Sequence, residues 1–177
     1  MGRPSKLTER EYSALSEDGW REIAQAFINS GSDEACIALL MRMHCIFGDI
    51  RALLRTSKIS SYKFEYLVNG GRVDLALFHT DGGVSLVEIK GQGGVRDVVA
   101  GIGQLFFYEA VFAESKPKAK PPAYINKYLV SPVFGGDAEV VGKACSLAGV
   151  DFVQYAPFSL IRNLRNGCTI AWVGNGA

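Results

Sequence analysis

Two carboxylates and an amine stand where strand residues should be apolar. Glu88 and Lys90 interrupt the run 84–90 (VSLVEIK), and Asp74 interrupts 72–78 (RVDLALF). An isolated ionised group in a strand covered on both faces loses its hydration without compensation, so these residues need a reason. Side chains two apart on a strand share a face, which groups Leu86 with Glu88 and Lys90. If the Asp81-Gly82-Gly83 turn closes a loop of three or five residues, pairing sets Phe78 against Val84, Ala76 against Leu86 and Asp74 against Glu88. Like charges so placed repel, and they are tolerated when a cation is bound or one member is protonated. A hard divalent cation, Mg²⁺ or Mn²⁺, meets that need with a couple of carboxylates plus water and phosphate oxygens. Lys90 beside the pair can orient a water or stabilise charge on phosphorus, so the set suits phosphodiester hydrolysis.

The elements must deliver these residues to one place. Segments 62–68, 72–78 and 84–90 alternate as strands, with Asn69-Gly70-Gly71 and Asp81-Gly82-Gly83 as turns, which makes a three-strand meander. The stretch 95–113 reads as an apolar helix, 116–122 as a Lys/Pro loop, 127–133 as a strand, 137–147 as a helix and 150–155 as a strand. A helix at 157–165 and a strand at 169–173 follow. Upstream, Thr8 and Glu11 have capping-box spacing before an amphipathic stretch, and a second helix is expected from the Ser32-Asp33 cap to Leu54. The order predicts an α/β fold, a mixed β-sheet of about five strands flanked by helices. One domain covers 1–177, with 1–30 a helical N-terminal extension, 33–155 the core and 156–177 a C-terminal helix and strand.

Asp74, a gap of thirteen residues, then Glu88-Ile89-Lys90 resembles the D-x(n)-E-x-K signature of the PD-(D/E)xK nuclease superfamily, with Arg72-Val73-Asp74 departing from the nominal Pro-Asp. Gln104 and Tyr108, four apart and on one helix face with Gly101 and Asp97, resemble the Q-x-x-x-Y motif of RecB-type nucleases. The resemblance covers roughly 65–133, and it implies a restriction-endonuclease-like fold and a Mg²⁺-dependent nuclease acting on DNA. It also implies roles: Asp74, Glu88 and the Ile89 carbonyl on the metal, Lys90 on the attacking water, and Gln104 and Tyr108 along the strand. Family members often add an acidic residue from the helix before the sheet; Glu34 and Asp49 are candidates, as is Glu65 on the first strand. Lys116, Lys118, Lys120 and Lys127 offer a patch for the DNA backbone, with a merely solvated loop as the plain alternative. A catalytically inactive module of the same fold, binding nucleic acid or a protein partner, is the competing reading.

Bulk properties narrow the classes without naming a function. A chain of 177 residues buries about 70% of its unfolded surface and needs no disulfide staples. At 48% apolar and 21% charged residues it matches neither disordered nor membrane compositions. The net charge of +1 provides no monopole, so DNA affinity must come from a local patch or bound cations. Four scattered cysteines without C-x-x-C, and only His44 and His79, argue against a zinc site. No apolar stretch of signal-peptide or membrane-span length occurs, which points to the cytoplasm. A homodimer is compatible with cleavage of a duplex. Gly91-Gln92-Gly93-Gly94 is no dinucleotide fingerprint, because Arg96 takes the third glycine's place. Phe106, Phe107, Phe112 and Trp172 are expected in the core, His44 packed within its helix, and His79 exposed at a turn.

Overall fold

The computed structural model describes residues 33–47, 50–56, 59–91, 95–114, 121–132 and 135–155, with positions 14, 16, 18, 19, 22 and 23. The N-terminal helix, Asp49, the loop bearing Lys116, Lys118 and Lys120, and the C-terminal helix and strand with Trp172 lie outside the described residues.

Turn chemistry builds the meander. β1 (Ile59–Val68) pairs antiparallel with β2 (Gly71–His79) across Asn69-Gly70, where Gly70 takes a φ of 83° that a side chain would strain. β2 turns into β3 (Val84–Ile89) through a loop of three residues: His79 N–H donates to the Gly83 carbonyl at 2.9 Å, and Gly82 N–H to the His79 carbonyl at 3.1 Å. The Asp81 carboxylate accepts from Gly83 N–H at 3.2 Å and from the Tyr124 hydroxyl. This closure sets Phe78 against Val84, Ala76 against Leu86 and Leu75 against Val87, so Asp74 and Glu88 come level as the pairing arithmetic requires.

The helix α3 (Val95–Glu114) carries the chain to β4 (Ile125–Ser131), parallel to β3, and α4 (Gly135–Leu147) carries it to β5 (Asp151–Gln154), parallel to β4. The sheet order is β1-β2-β3-β4-β5. Successive crossovers of one hand that step in one direction must lie on one face. Both helices do so, with Val98, Leu105, Val141 and Cys145 packed against Ala76, Leu86 and Leu129. The other face takes α1 (Asp33–Phe47) and α2 (Ile50–Leu54), whose Ile37, Met41, Ile50 and Leu54 meet Leu75, Leu77, Val87 and Val130. The central strand β3 is therefore buried along its whole length.

This is the mixed α/β sheet flanked by helices, with a helix before it, that the sequence predicts. Its element bounds differ where a partner sets them. β4 begins at Ile125, because that residue pairs with Val84, and the stretch expected as one helix from 33 to 54 is divided into α1 and α2. Among the described residues no helix is long and apolar enough to cross a membrane.

A break in strand alternation positions the site. In β1, Tyr62 and Phe64 pack toward α1, whereas Tyr66 and Val68, at the same parity, pack toward α3. In β2, Leu75 and Leu77 face α1 while Val73 faces α3. Both strands change faces at the level of Glu65 and Asp74, and Glu65 has a φ of 50°, a backbone shape rare for residues with a side chain. The hairpin tip is thereby turned onto α3. A Cβ at Gly71 would lie 2.8 Å from Tyr108 Cε1, and one at Gly70 3.2 Å from Phe107 Cζ. Gly71→Ala should consequently force the Tyr108 ring aside and cost roughly 1–3 kcal/mol, read as a lowered urea midpoint.

Candidate active site

Asp74 stands where the β2–β3 backbone pairing stops. Lys90 N–H donates to the Val130 carbonyl of β4 at 2.9 Å, so Ile89 N–H turns the other way, toward β2. There the Asp74 carboxylate accepts it through Oδ2 at 2.8 Å, replacing the main-chain acceptor that a buried N–H requires. The N–H and C=O of a strand residue leave on the same side, which directs the Ile89 carbonyl toward the same gap. Burial raises the Asp74 pKa above its ordinary value, with the Ile89 hydrogen bond and the Lys90 charge pulling the other way.

Glu88 is 2% exposed. Its Oε1 accepts from Lys90 Nζ at 2.6 Å, while its Oε2 is buried with no hydrogen-bond partner in the structure. Loss of solvent and then the Asp74 charge push its pKa up to about 7, against the pull of Lys90. For Lys90, burial favours the neutral amine, but the hydrogen bond and charge of Glu88, together with Asp74 and Glu34, raise its pKa and keep it protonated. The two carboxylates thus stand close enough to perturb each other, with one amine as their counter-charge.

Lys90 is held from a second side. Gln104 Oε1 accepts from Nζ at 2.7 Å, so the ammonium bridges β3 and α3. Gln104 in turn is hydrogen-bonded to Tyr108, whose phenol also meets the Arg72 backbone; burial and the charges of Glu88 and Asp74 raise that phenol's pKa. Tyr108 is 6% exposed, so the Gln104–Tyr108 pair supports Lys90 and the hairpin tip from within. Gly101 lets α3 approach: a Cβ there would sit 2.8 Å from Leu129 Cδ1 and 3.0 Å from Lys90 Cε.

Glu34, in the first turn of α1, reaches the site electrostatically. The backbone of α1 abuts Gly91, where a Cβ would lie 2.9 Å from the Glu34 nitrogen, and the Glu34 charge acts on Asp74, Glu88 and Lys90 alike. Yet among the described residues no group of three or more His, Cys, Asp or Glu side chains could hold a metal ion. The oxygens gathered at the gap are those of the Asp74 and Glu88 carboxylates, with the Ile89 carbonyl directed toward it. Such a sparse oxygen set fits Mg²⁺, which takes one or two carboxylates and completes its shell with water and phosphate oxygens. The unpartnered Glu88 Oε2 is what a cation ligand would leave.

Several expectations are corrected by packing. Glu65 is half-exposed and sits 3.6 Å from Arg72 in a surface ion pair. Lys127 is drawn out of the expected phosphate-binding patch: Nζ donates to Glu109 Oε2 and lies 4.4 Å from the centroid of Phe106, with the side chain 10% exposed. Phe106 and Phe107 are 43% and 47% exposed rather than core, because the buried stripe of α3 runs through Val98, Leu105 and Tyr108. His79 is buried, its Nε2 2.7 Å from Ser85 Oγ, since the short loop keeps it inside the sheet. His44 is packed as expected, with Nε2 2.9 Å from the Tyr155 hydroxyl.

No protein-family model matches the chain, and no curated protein matches it. Among solved structures it is similar to a repair endonuclease from Pyrococcus abyssi, with a TM-score of 0.44 and 16% identity over 68% of this chain and 46% of that one. It is also similar to the protein of an EndoMS–dsDNA2 complex, with a TM-score of 0.45 and 17% identity over 67% of this chain and 44% of that one. The chain spans less than half the length of either.

Proposed function

We propose that the chain is a Mg²⁺- or Mn²⁺-dependent nuclease that hydrolyses phosphodiester bonds in DNA. The observation that carries this reading is a buried Glu88 with one oxygen held by Lys90 and the other without a partner, beside Asp74 at the end of a strand ladder. Asp74, Glu88 and the Ile89 carbonyl would hold the cation. When bound, it offsets charge on the phosphate oxygens and makes water easier to deprotonate.

The chain's own groups do the rest. Lys90, fixed between Glu88 and Gln104, presents its ammonium at the reacting phosphate and stabilises the charge that develops there; a donor fixed beforehand needs no reorganisation during reaction. Gln104 sets the direction of that ammonium. Tyr108 keeps the hairpin tip closed on α3, and Gly101 leaves room for the lysine stem. Lys116, Lys118 and Lys120 are the candidate contacts to the flanking DNA backbone. The proposal includes one domain across 1–177, a cytoplasmic setting that the free thiols of Cys36, Cys45 and Cys145 suit, and a homodimer where both strands of a duplex are cut.

Incubation with plasmid, linear duplex and single-stranded DNA under Mg²⁺, Mn²⁺ or EDTA tests the reading. Cleavage with either metal and none with EDTA is the expected result. Intact DNA under both metals would reject the nuclease and favour the non-catalytic binding module.

A further inference from the structure

Three aromatic residues follow one another on α3, and the structure accounts for two of them. Phe106 lies under the Lys127 ammonium, and Tyr108 is buried with its phenol turned to Gln104 and Arg72. Phe107 turns Cζ and Cε1 toward the hairpin tip, where a Cβ at Gly70 would lie 3.2 Å from Cζ and one at Gly71 3.6 Å from Cε1, and it is 47% exposed. Its ring meets Tyr108 edge-on, with centroids 6.0 Å apart.

We propose that Phe107 is a stacking platform for an unpaired DNA base at the lip of the site, so that the substrate is a single strand or a locally opened duplex. The inference rests on the nuclease reading of the same site. Phe107 follows Gln104 by three residues and so neighbours it on the helix surface, about 4.5 Å further along the axis. Gln104 holds the Lys90 ammonium, so a base on Phe107 belongs to a nucleotide adjoining the one whose phosphate faces Lys90. The platform is braced. Two glycines without side chains let the hairpin press on the ring edge, and Tyr108 fixes it from the helix side. A rigid ring with free area suits nucleobases of any identity, because each has a π-face, and such stacking is tolerant of sequence. With a net charge of +1, the protein has little long-range attraction for phosphate, so stacking supplies grip that charge does not.

Binding can be read apart from cleavage with Ca²⁺ in place of Mg²⁺. A labelled duplex with a thymidine overhang, and a series bearing one abasic site at successive overhang positions, are titrated by fluorescence anisotropy. The wild type should lose roughly 5- to 150-fold in affinity when the abasic site falls on the stacked position. Phe107→Ala should erase that position's base-versus-abasic ratio, and Phe107→Trp should keep it. Phe107→Leu, which retains an apolar contact to the hairpin, should unfold at the wild-type temperature yet also lose the ratio, separating stacking from support of the fold. An unaltered ratio in Phe107→Ala, or no binding to any oligonucleotide, would overturn the proposal. If the ratio behaves as expected but no metal supports cleavage, the nuclease reading fails and the stacking platform stands.

Discussion

Lys90→Ala should lower phosphodiester hydrolysis by about 10²- to 10³-fold at saturating Mg²⁺, the range found when one fixed donor is removed from a site where charge develops. Gln104 Oε1 and Glu88 Oε1 both accept from the ammonium, so its removal takes away the positive charge held between them. Removal also strips Glu88 of its described hydrogen bond. A charged carboxylate left buried would be strongly destabilising, but Glu88 already titrates near 7 with the lysine present. Without Lys90 it takes up a proton at neutral pH, and the loss to the fold stays near the 1.5–3 kcal/mol of one hydrogen bond to a charged group. A folded protein that cleaves far more slowly is therefore the expected outcome. Circular dichroism and plasmid cleavage on the same sample check both halves, and Lys90→Ala cutting DNA at the wild-type rate would remove Lys90 from the chemistry. Lys90→Arg should not restore the rate, because a planar guanidinium fork cannot take the place of the compact ammonium held between Glu88 Oε1 and Gln104 Oε1.

The residues of this site are legible in the sequence because strands have a period of two and glycine turns have few lengths. Charged side chains at Asp74, Glu88 and Lys90 violate an apolar pattern, and loop arithmetic alone brings the two carboxylates level. The face change at Glu65 and Asp74 is not legible. Tyr62, Phe64, Tyr66 and Val68 alternate without interruption, and the positive φ falls on a glutamate, where no glycine signals it. Lys127 escapes for a related reason: its partner Glu109 lies on another element, and no local spacing reports that pairing. Phe107 is different, since its exposure could have been read. Val98, Leu105, Tyr108 and Phe112 recur at intervals of seven, three and four, which defines the buried stripe and leaves the residue before Tyr108 about 100° away from it.

Glu88 also ties the fold to pH and to the metal, and the sign follows from its burial. Its ordinary pKa of 4.5 rises to about 7 in the folded chain. A group whose pKa is raised on folding contributes stability that is complete below its unfolded value and is lost as pH climbs through its folded value. The metal-free protein should therefore weaken between about pH 4.5 and 7, by about 3 kcal/mol, and the 3% exposure of the Glu88 side chain leaves little solvent to screen the effect. Glu88→Gln keeps an oxygen for Lys90 Nζ but cannot ionise, so its stability should fall less across that window, retaining the dependence that the raised Asp74 contributes, and should exceed the wild type at pH 8. A divalent cation should reverse the ranking. It is held by the carboxylate form, competes with the proton, and at a concentration of 100 times its Kd stabilises the wild type by about 2.7 kcal/mol at pH 8, with the gain fading as pH falls below about 7. Glu88→Gln, short of one anionic ligand, should gain much less. Urea midpoints from pH 4.5 to 8.5, with Mg²⁺ and with EDTA, read both effects together. A wild type indifferent to Mg²⁺ at pH 8, or a Glu88→Gln variant that responds equally, would show that Asp74 and Glu88 crowd together for some purpose other than holding a cation.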